Sequence, residues 1–203
     1  MLLLDSDTTD GFLDKLASRA PTPGGGSASA VVGAVAAALC GMVGRLNDKK
    51  DGEPGPLHDT IAAADELLWR LKSLAGEDVE AFTGLMSTWK LSDAEPDNVA
   101  KKQTATILAA ETPLTIMAKA YDVMKLARAG LEKSKKNCLS DAGVAAFVAQ
   151  AALESARVNV MINLPGIKDE QTRAKLAKRA ATLLADARAL REEVDRLIDA
   201  NYA

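Results

Sequence analysis

The sequence predicts an all-α protein, a multihelical bundle of long antiparallel helices in a single domain over residues 1–203, dimerising through helix packing. Three observations predict it. The apolar content is small and aliphatic, with 38 Ala and 26 Leu among 203 residues and aromatics at 3%. Combined with 26% charged residues, that composition favours packed helices over an all-β fold or a disordered chain. No stretch alternates apolar and polar residues over a strand's length. Finally, Leu176, Ala180, Leu183, Ala187, Leu190, Val194 and Leu197 recur at 4-3-4-3-4-3 spacing with charged residues between them. That is heptad spacing, the mark of a long helix packed lengthwise in a bundle or a dimer.

Six helical segments follow in order. The first covers residues 8–18. The second runs from Ser27 to Leu46, inside an uncharged stretch, Ala20–Gly44, that is too rich in Ala, Gly and Ser for a membrane span and reads as a helix buried all round. Ser29, Gly33, Ala37 and Gly41 lie four residues apart on it, a stripe that lets another helix approach closely. The third runs from Leu57 to Trp89, with a bend expected near Gly76. Its seam is Leu57, Ile61, Ala64, Leu68, Leu71, Ala75, Asp78, Phe82, Leu85 and Trp89, so a carboxylate stands where a core residue belongs. Asp78 is then paired, protonated or facing a wet cavity, unless a phase shift at Gly76 turns it to solvent. The fourth segment covers 97–129 and bends near Pro113, which removes an internal hydrogen bond. The fifth runs from Ser140 to Asn163, closed by Leu164-Pro165-Gly166, and the sixth from Lys168 to Ala200.

Charge and rare residues exclude whole classes. A net charge of -3 gives no general attraction for nucleic acid or anionic membrane. Two isolated cysteines, Cys40 and Cys138, and a single histidine make no metal-ligand set, disulfide framework or histidine-based triad. His58 follows a turn-rich segment and reads as an exposed loop residue. Met1–Asp5 is too short and acidic for a signal peptide, so a cytoplasmic protein is expected.

Pro21-Thr-Pro-Gly-Gly-Gly-Ser27 leads straight into the second helix. Gly24, Gly25 and Gly26 expose backbone N–H groups at a helix N-terminus, where the dipole favours an anion or electron-rich oxygen, and Ser27 is placed to cap. A phosphate loop is excluded because Lys-Ser/Thr does not follow the glycines. A plain turn and cap and a ligand site both fit this segment.

With that opening, the chain resembles the formimidoyltetrahydrofolate cyclodeaminase/methenyltetrahydrofolate cyclohydrolase family. Glu77-Asp78 with Ala81-Phe82, Glu111-Thr-Pro-Leu114, Asn137-Cys-Leu-Ser-Asp-Ala-Gly-Val-Ala145, Leu153-Glu-Ser-Ala156 and Asn159-Val-Met-Ile-Asn-Leu164 follow the family's order and approximate spacing. The resemblance implies a helical homodimer or higher homo-oligomer with sites at the subunit interface. It implies a folate substrate and no metal or other cofactor. The expected activity is methenyltetrahydrofolate cyclohydrolase, since no formiminotransferase domain is fused to the chain. The alternatives are formimidoyltetrahydrofolate cyclodeaminase, which closes the ring with loss of ammonia, and a non-catalytic helical dimer that keeps the scaffold. The family's Lys-rich segment is altered here to Arg45-Leu-Asn-Asp-Lys-Lys-Asp-Gly-Glu-Pro54, with Lys49 and Lys50 among acids.

Either reaction needs a base and a proton donor, and without usable histidine these are carboxylates. Asp141, after Ser140 at the start of the fifth helix, and Asp78 are the candidate catalytic residues. Gly24, Gly25, Gly26, Ser27, Arg45, Lys49, Lys50, Ser140, Asn159 and Asn163 are the candidate substrate ligands; Lys133, Lys135 and Lys136 either meet a glutamate tail or form a solvated charge run. Asn159 and Asn163 are i, i+4 and act together. Asp141 and Asn159 share a face but stand about 27 Å apart along a straight helix. The site therefore uses one end of this helix or joins opposite ends from two subunits. With so few aromatics, hydrogen bonds are expected to dominate recognition of the pterin ring.

Overall fold

A computed structural model describes residues 8–49 and 53–202. Six helices make it up: α1 (Thr9–Leu16), α2 (Gly25–Asn47), α3 (His58–Thr88), α4 (Pro96–Lys133), α5 (Leu139–Asn163) and α6 (Glu170–Tyr202), with single 3-10 turns on either side of α5. The expected bundle is present, and the described residues include no strand.

From α2 onward, each helix packs antiparallel to the next. Gly44 lies against Ile61 near the start of α3, whereas Ser27 at the other end of α2 bonds to Ala75. Gly130 of α4 faces Ala142 of α5, and Ala109 meets Asn163. Gln150 bonds Arg191, and Gly143 faces Ile198 on α6. α4 touches α2, α3, α5 and α6, and its Ile116, Met117, Val123 and Met124 are fully buried.

α2 shows why the chain spends so much alanine and glycine. The whole stripe Ser29, Gly33, Ala37 and Gly41 is buried. A Cβ at Gly33 would stand 3.2 Å from Leu71 and 3.5 Å from Ala152, so α3 and α5 both close on the same turn. Each helical glycine costs about 1 kcal/mol relative to alanine, offset here by backbone-close packing. By length and composition α2 would cross a membrane, but 61% of its most apolar window is buried inside the protein.

Four details depart from the expected elements. α2 begins at Gly25 with Gly24 as its N-cap, so Ser27 lies inside the first turn and does not cap. α4 ends at Lys133, past the expected end at residue 129, and both α3 and α4 run unbroken through Gly76 and Pro113. On α6 Leu184 joins Leu176, Ala180, Ala187, Leu190 and Val194 in the buried series, while Leu183 and Leu197 of the expected seam pack half-buried against the core. His58 opens α3 rather than lying in a loop, with Nδ1 3.0 Å from Asp48 Oδ2.

Candidate active site

The N-terminus of α2, the last turns of α3, the middle of α4 and the C-terminus of α5 enclose a cavity of about 350 Å³. That volume lies in the range of small-molecule sites. Gly24, Gly25 and Gly26 form one wall, Asp78, Phe82, Leu85 and Trp89 a second, and Asn159, Ile162 and Asn163 a third.

Asp78 is where the heptad of α3 changes its meaning. Upstream the stripe is core, with Ala64, Leu71 and Ala75 buried. Downstream the same stripe lines the cavity, so the carboxylate needs no core partner. Glu77 turns away and pairs with Arg70. The Ser27 hydroxyl shares its one proton between two acceptors, Ala75 O at 2.8 Å and Asp78 Oδ2 at 3.2 Å. Burial pushes the Asp78 carboxyl above its usual 3.8, and hydrogen bonds from the Ser27 hydroxyl and N–H hold part of that rise back. The result is an acid placed to exchange protons closer to neutrality than an exposed aspartate does.

Gly26 makes this placement possible. A Cβ there would overlap Asp78 Oδ1 and stand 2.6 Å from Oδ2. Across the cavity, a Cβ at Gly25 would stand 3.2 Å from Asn159 Oδ1. Asn159 Nδ2 donates to Ser155 O, and Asn163 Nδ2 donates to Asn159 O and Ala109 O. The two amides thus sit side by side, as i, i+4 spacing requires.

Phe82 and Trp89 are what composition concealed. Their rings meet edge-to-face at 6.2 Å and 86°, and Trp89 is 63% exposed at the cavity mouth. The cavity thus has two rings beside its amides. The signal was present in the α3 seam, where both residues continue the stripe through Asp78.

The other candidate residues lie elsewhere. Asp141 and Ser140 open α5 at the opposite end of that helix from Asn159 and Asn163, so no single chain joins both groups. Arg45 pairs with Asp65 at 2.6 Å, about 30 Å along α2 from Gly25. Lys49 pairs with Glu53 at 2.5 Å. Lys50 lies outside the described residues. Lys135 Nζ donates to Leu46 O at that same far end, while Lys133 and Lys136 are exposed. The cavity brings together Gly24, Gly25, Gly26, Asp78, Asn159 and Asn163. Ser27, expected as a substrate ligand, is fully buried behind Asp78 and does not line the cavity; its hydroxyl is taken up by Ala75 and Asp78. A role for Asp141, Ser140, Arg45 or Lys49 needs a second subunit.

Among the described residues, no group of three His, Cys, Asp or Glu side chains is placed to hold a metal ion. Both cysteines are buried and free, and burial pushes the Cys40 thiol up to about 12, leaving it an inert core residue.

Known proteins share this architecture. The sequence profile described as "Formiminotransferase-cyclodeaminase" matches residues 8–182. A methenyltetrahydrofolate cyclohydrolase of Methylorubrum extorquens is 38% identical over 196 residues, covering 93% of this chain and 94% of that one. A formimidoyltransferase-cyclodeaminase of Mus musculus is 29% identical over 196 residues, and there the match spans 36% of the relative's length. The crystal structure of a formiminotetrahydrofolate cyclodeaminase from Thermotoga maritima superposes with a TM-score of 0.87 at 31% identity, covering 96% of this chain and 97% of that one.

Proposed function

The chain belongs to the formiminotransferase-cyclodeaminase family, and from that premise we propose that it is a methenyltetrahydrofolate cyclohydrolase, interconverting 5,10-methenyltetrahydrofolate and 10-formyltetrahydrofolate. The observation that carries this reading is Asp78, a carboxyl raised by burial on the wall of a cavity of about 350 Å³. Its substrate carries a positive charge shared between N5, the bridging carbon and N10. An ionised Asp78 stabilises that cation and accepts a proton from the attacking water. The water oxygen bonds to the bridging carbon. Asp78 then hands its proton to N5 as the C–N5 bond breaks, the intermediate's hydroxyl proton leaves to solvent, and the carbon stays on N10 as formyl. Phe82 and Trp89 offer faces and edges to the substrate's aromatic parts, and the Asn159–Asn163 pair meets its polar edges. No cofactor enters this scheme, and the cytoplasm is the compartment we assign it to.

The test is the absorbance of the methenyl chromophore. Hydrolysis well above the spontaneous rate is expected, and a rate equal to buffer alone rejects the reading. The likeness to the Thermotoga maritima cyclodeaminase supports a second activity, ring closure of 5-formimidoyltetrahydrofolate with release of ammonia. The same chromophore then appears instead of fading.

The exposed side of α2 supports a homodimer. Val32, Val35, Met42 and Leu46 are 38–53% exposed, and with half-buried Leu39 they recur at 3-4-3-4 spacing. This is a second heptad seam, turned away from the core, and suits a helix of another copy. A two-fold axis near Leu39 sets the Arg45–Asp141 end of one subunit toward the cavity of the other. Val35→Glu with Met42→Glu is expected to sediment as the 21.3 kDa monomer with turnover lost. Asp78→Asn subunits mixed with Asp141→Asn subunits are expected to regain part of that turnover. Full activity in Asp141→Asn alone would remove that residue from the reaction.

A further inference from the structure

We infer that Pro113, in the middle of α4, fixes the amide of Asn163 so that it meets the ligand only as a hydrogen-bond acceptor. The inference rests on the folate reading for the identity of the ligand, but its geometric half stands without it.

Proline inside a helix has no N–H for the carbonyl four residues back, and its ring pushes that carbonyl outward. The carbonyl four residues before Pro113 belongs to Ala109, which lines the cavity. Asn163 of α5 supplies the missing donor, with Nδ2 2.9 Å from Ala109 O. Its second N–H goes to Asn159 O at 2.8 Å. Both partners are carbonyls and can only accept, so the atom facing them is the nitrogen. Its two protons are then spent, and Oδ1 remains as the polar atom the amide can offer. A free amide rotates to suit a donor or an acceptor; this one cannot without leaving the Ala109 carbonyl unpaired inside the protein.

The ligand edge meeting Asn163 must therefore donate. In a reduced folate the exocyclic amino group on the pyrimidinone edge has that character, and it is the donor assigned to Asn163 Oδ1. A site built to accept from such a group rejects an analogue lacking it, because Oδ1 is then left without a donor. Pro113 touches no substrate in this scheme. It acts as a positioning residue through Asn163.

Two measurements on the full chain test this. In the ¹⁵N-labelled protein without ligand, the Nδ2 protons of Asn163 are expected to exchange slowly with solvent. In Pro113→Ala, whose new N–H returns the Ala109 carbonyl to the helix axis, they are expected to exchange at least tenfold faster. That variant should melt at or above the wild-type temperature, because an interior proline has been removed. A merely structural proline would give unchanged exchange, and that result overturns the positioning role. In the second measurement, wild type is expected to bind tetrahydrofolate at least tenfold more tightly than its 2-desamino analogue, with the gap falling below threefold in Pro113→Ala. Equal binding of the two by wild type, or a gap unchanged in the variant, overturns the acceptor assignment. Binding of neither by wild type rejects the folate reading itself, and the exchange measurement then decides the role of Pro113.

Discussion

Asp78→Asn is expected to lower kcat/KM for methenyl hydrolysis by a factor of about 10² to 10⁴, the range for removing a positioned general base. The fold should not suffer. Asn has the same shape, still accepts from Ser27, and drops the cost of burying a charge, which is the leading cause of the raised Asp78 value. The pH dependence gives the sign. In wild type, activity falls on the acid side as Asp78 takes up its proton, and that limb lies above 3.8 because burial raises the carboxyl. The folded state also holds this proton more tightly than the unfolded chain does. Its contribution to stability is complete below the unfolded value and is lost as pH rises through the raised folded value. Asp78→Asn should thus melt at or above wild type at neutral pH, with the difference shrinking as pH falls through that window. A variant that keeps its activity, or an acid limb that survives the substitution, removes Asp78 from the proton transfer.

Asp78 shows how far the sequence is readable. A single carboxylate in an otherwise apolar seam must face something wet, and spacing alone locates it. The cavity that it faces is a different matter. Which face of α3 leaves the core depends on where α2 ends against it, and the glycines that start α2 look like a turn in the sequence. Composition is likewise silent on where the rings lie, because an average over the chain does not register two aromatics on one stripe. The division of the candidate residues between two ends was half legible. The rise along α5 separates Asp141 from Asn159 without any structure. The pairing of Arg45 with Asp65 and Lys49 with Glu53 is not legible, since acids far apart or in a loop compete for those cations only once α2 and α3 are packed. The α6 seam was legible from spacing alone, with Leu183 and Leu197 packed half-buried against the core, and Leu184 joining the buried stripe is the part that spacing did not show.

Gly26→Ala should nearly silence the enzyme while leaving a folded protein. The added methyl would overlap Asp78 Oδ1, and α2 has no room to retreat, since Ser27 beside it is buried and bonded to Ala75 O at 2.8 Å. The carboxylate must therefore move. Alanine gains about 1 kcal/mol in helix propensity over glycine, against roughly 1–3 kcal/mol for overpacking a tight contact, so the net loss of stability is small. Catalysis is far less forgiving. A displacement of about 1 Å at the reacting group costs on the order of 10²-fold in rate. The expected signature is a kcat reduced by about that factor with a melting temperature within a few degrees of wild type. Substrate affinity should change less than kcat, because Phe82, Trp89, Asn159 and Asn163 line the cavity on its other walls. Gly25→Ala is the matched control. Its Cβ would meet the Asn159 amide at 3.2 Å, a contact that a small side-chain shift relieves. A milder defect, expressed in KM, is expected there. Equal losses in the two variants would mean that the glycines serve the entry of the chain into α2, not the seat of the Asp78 carboxylate.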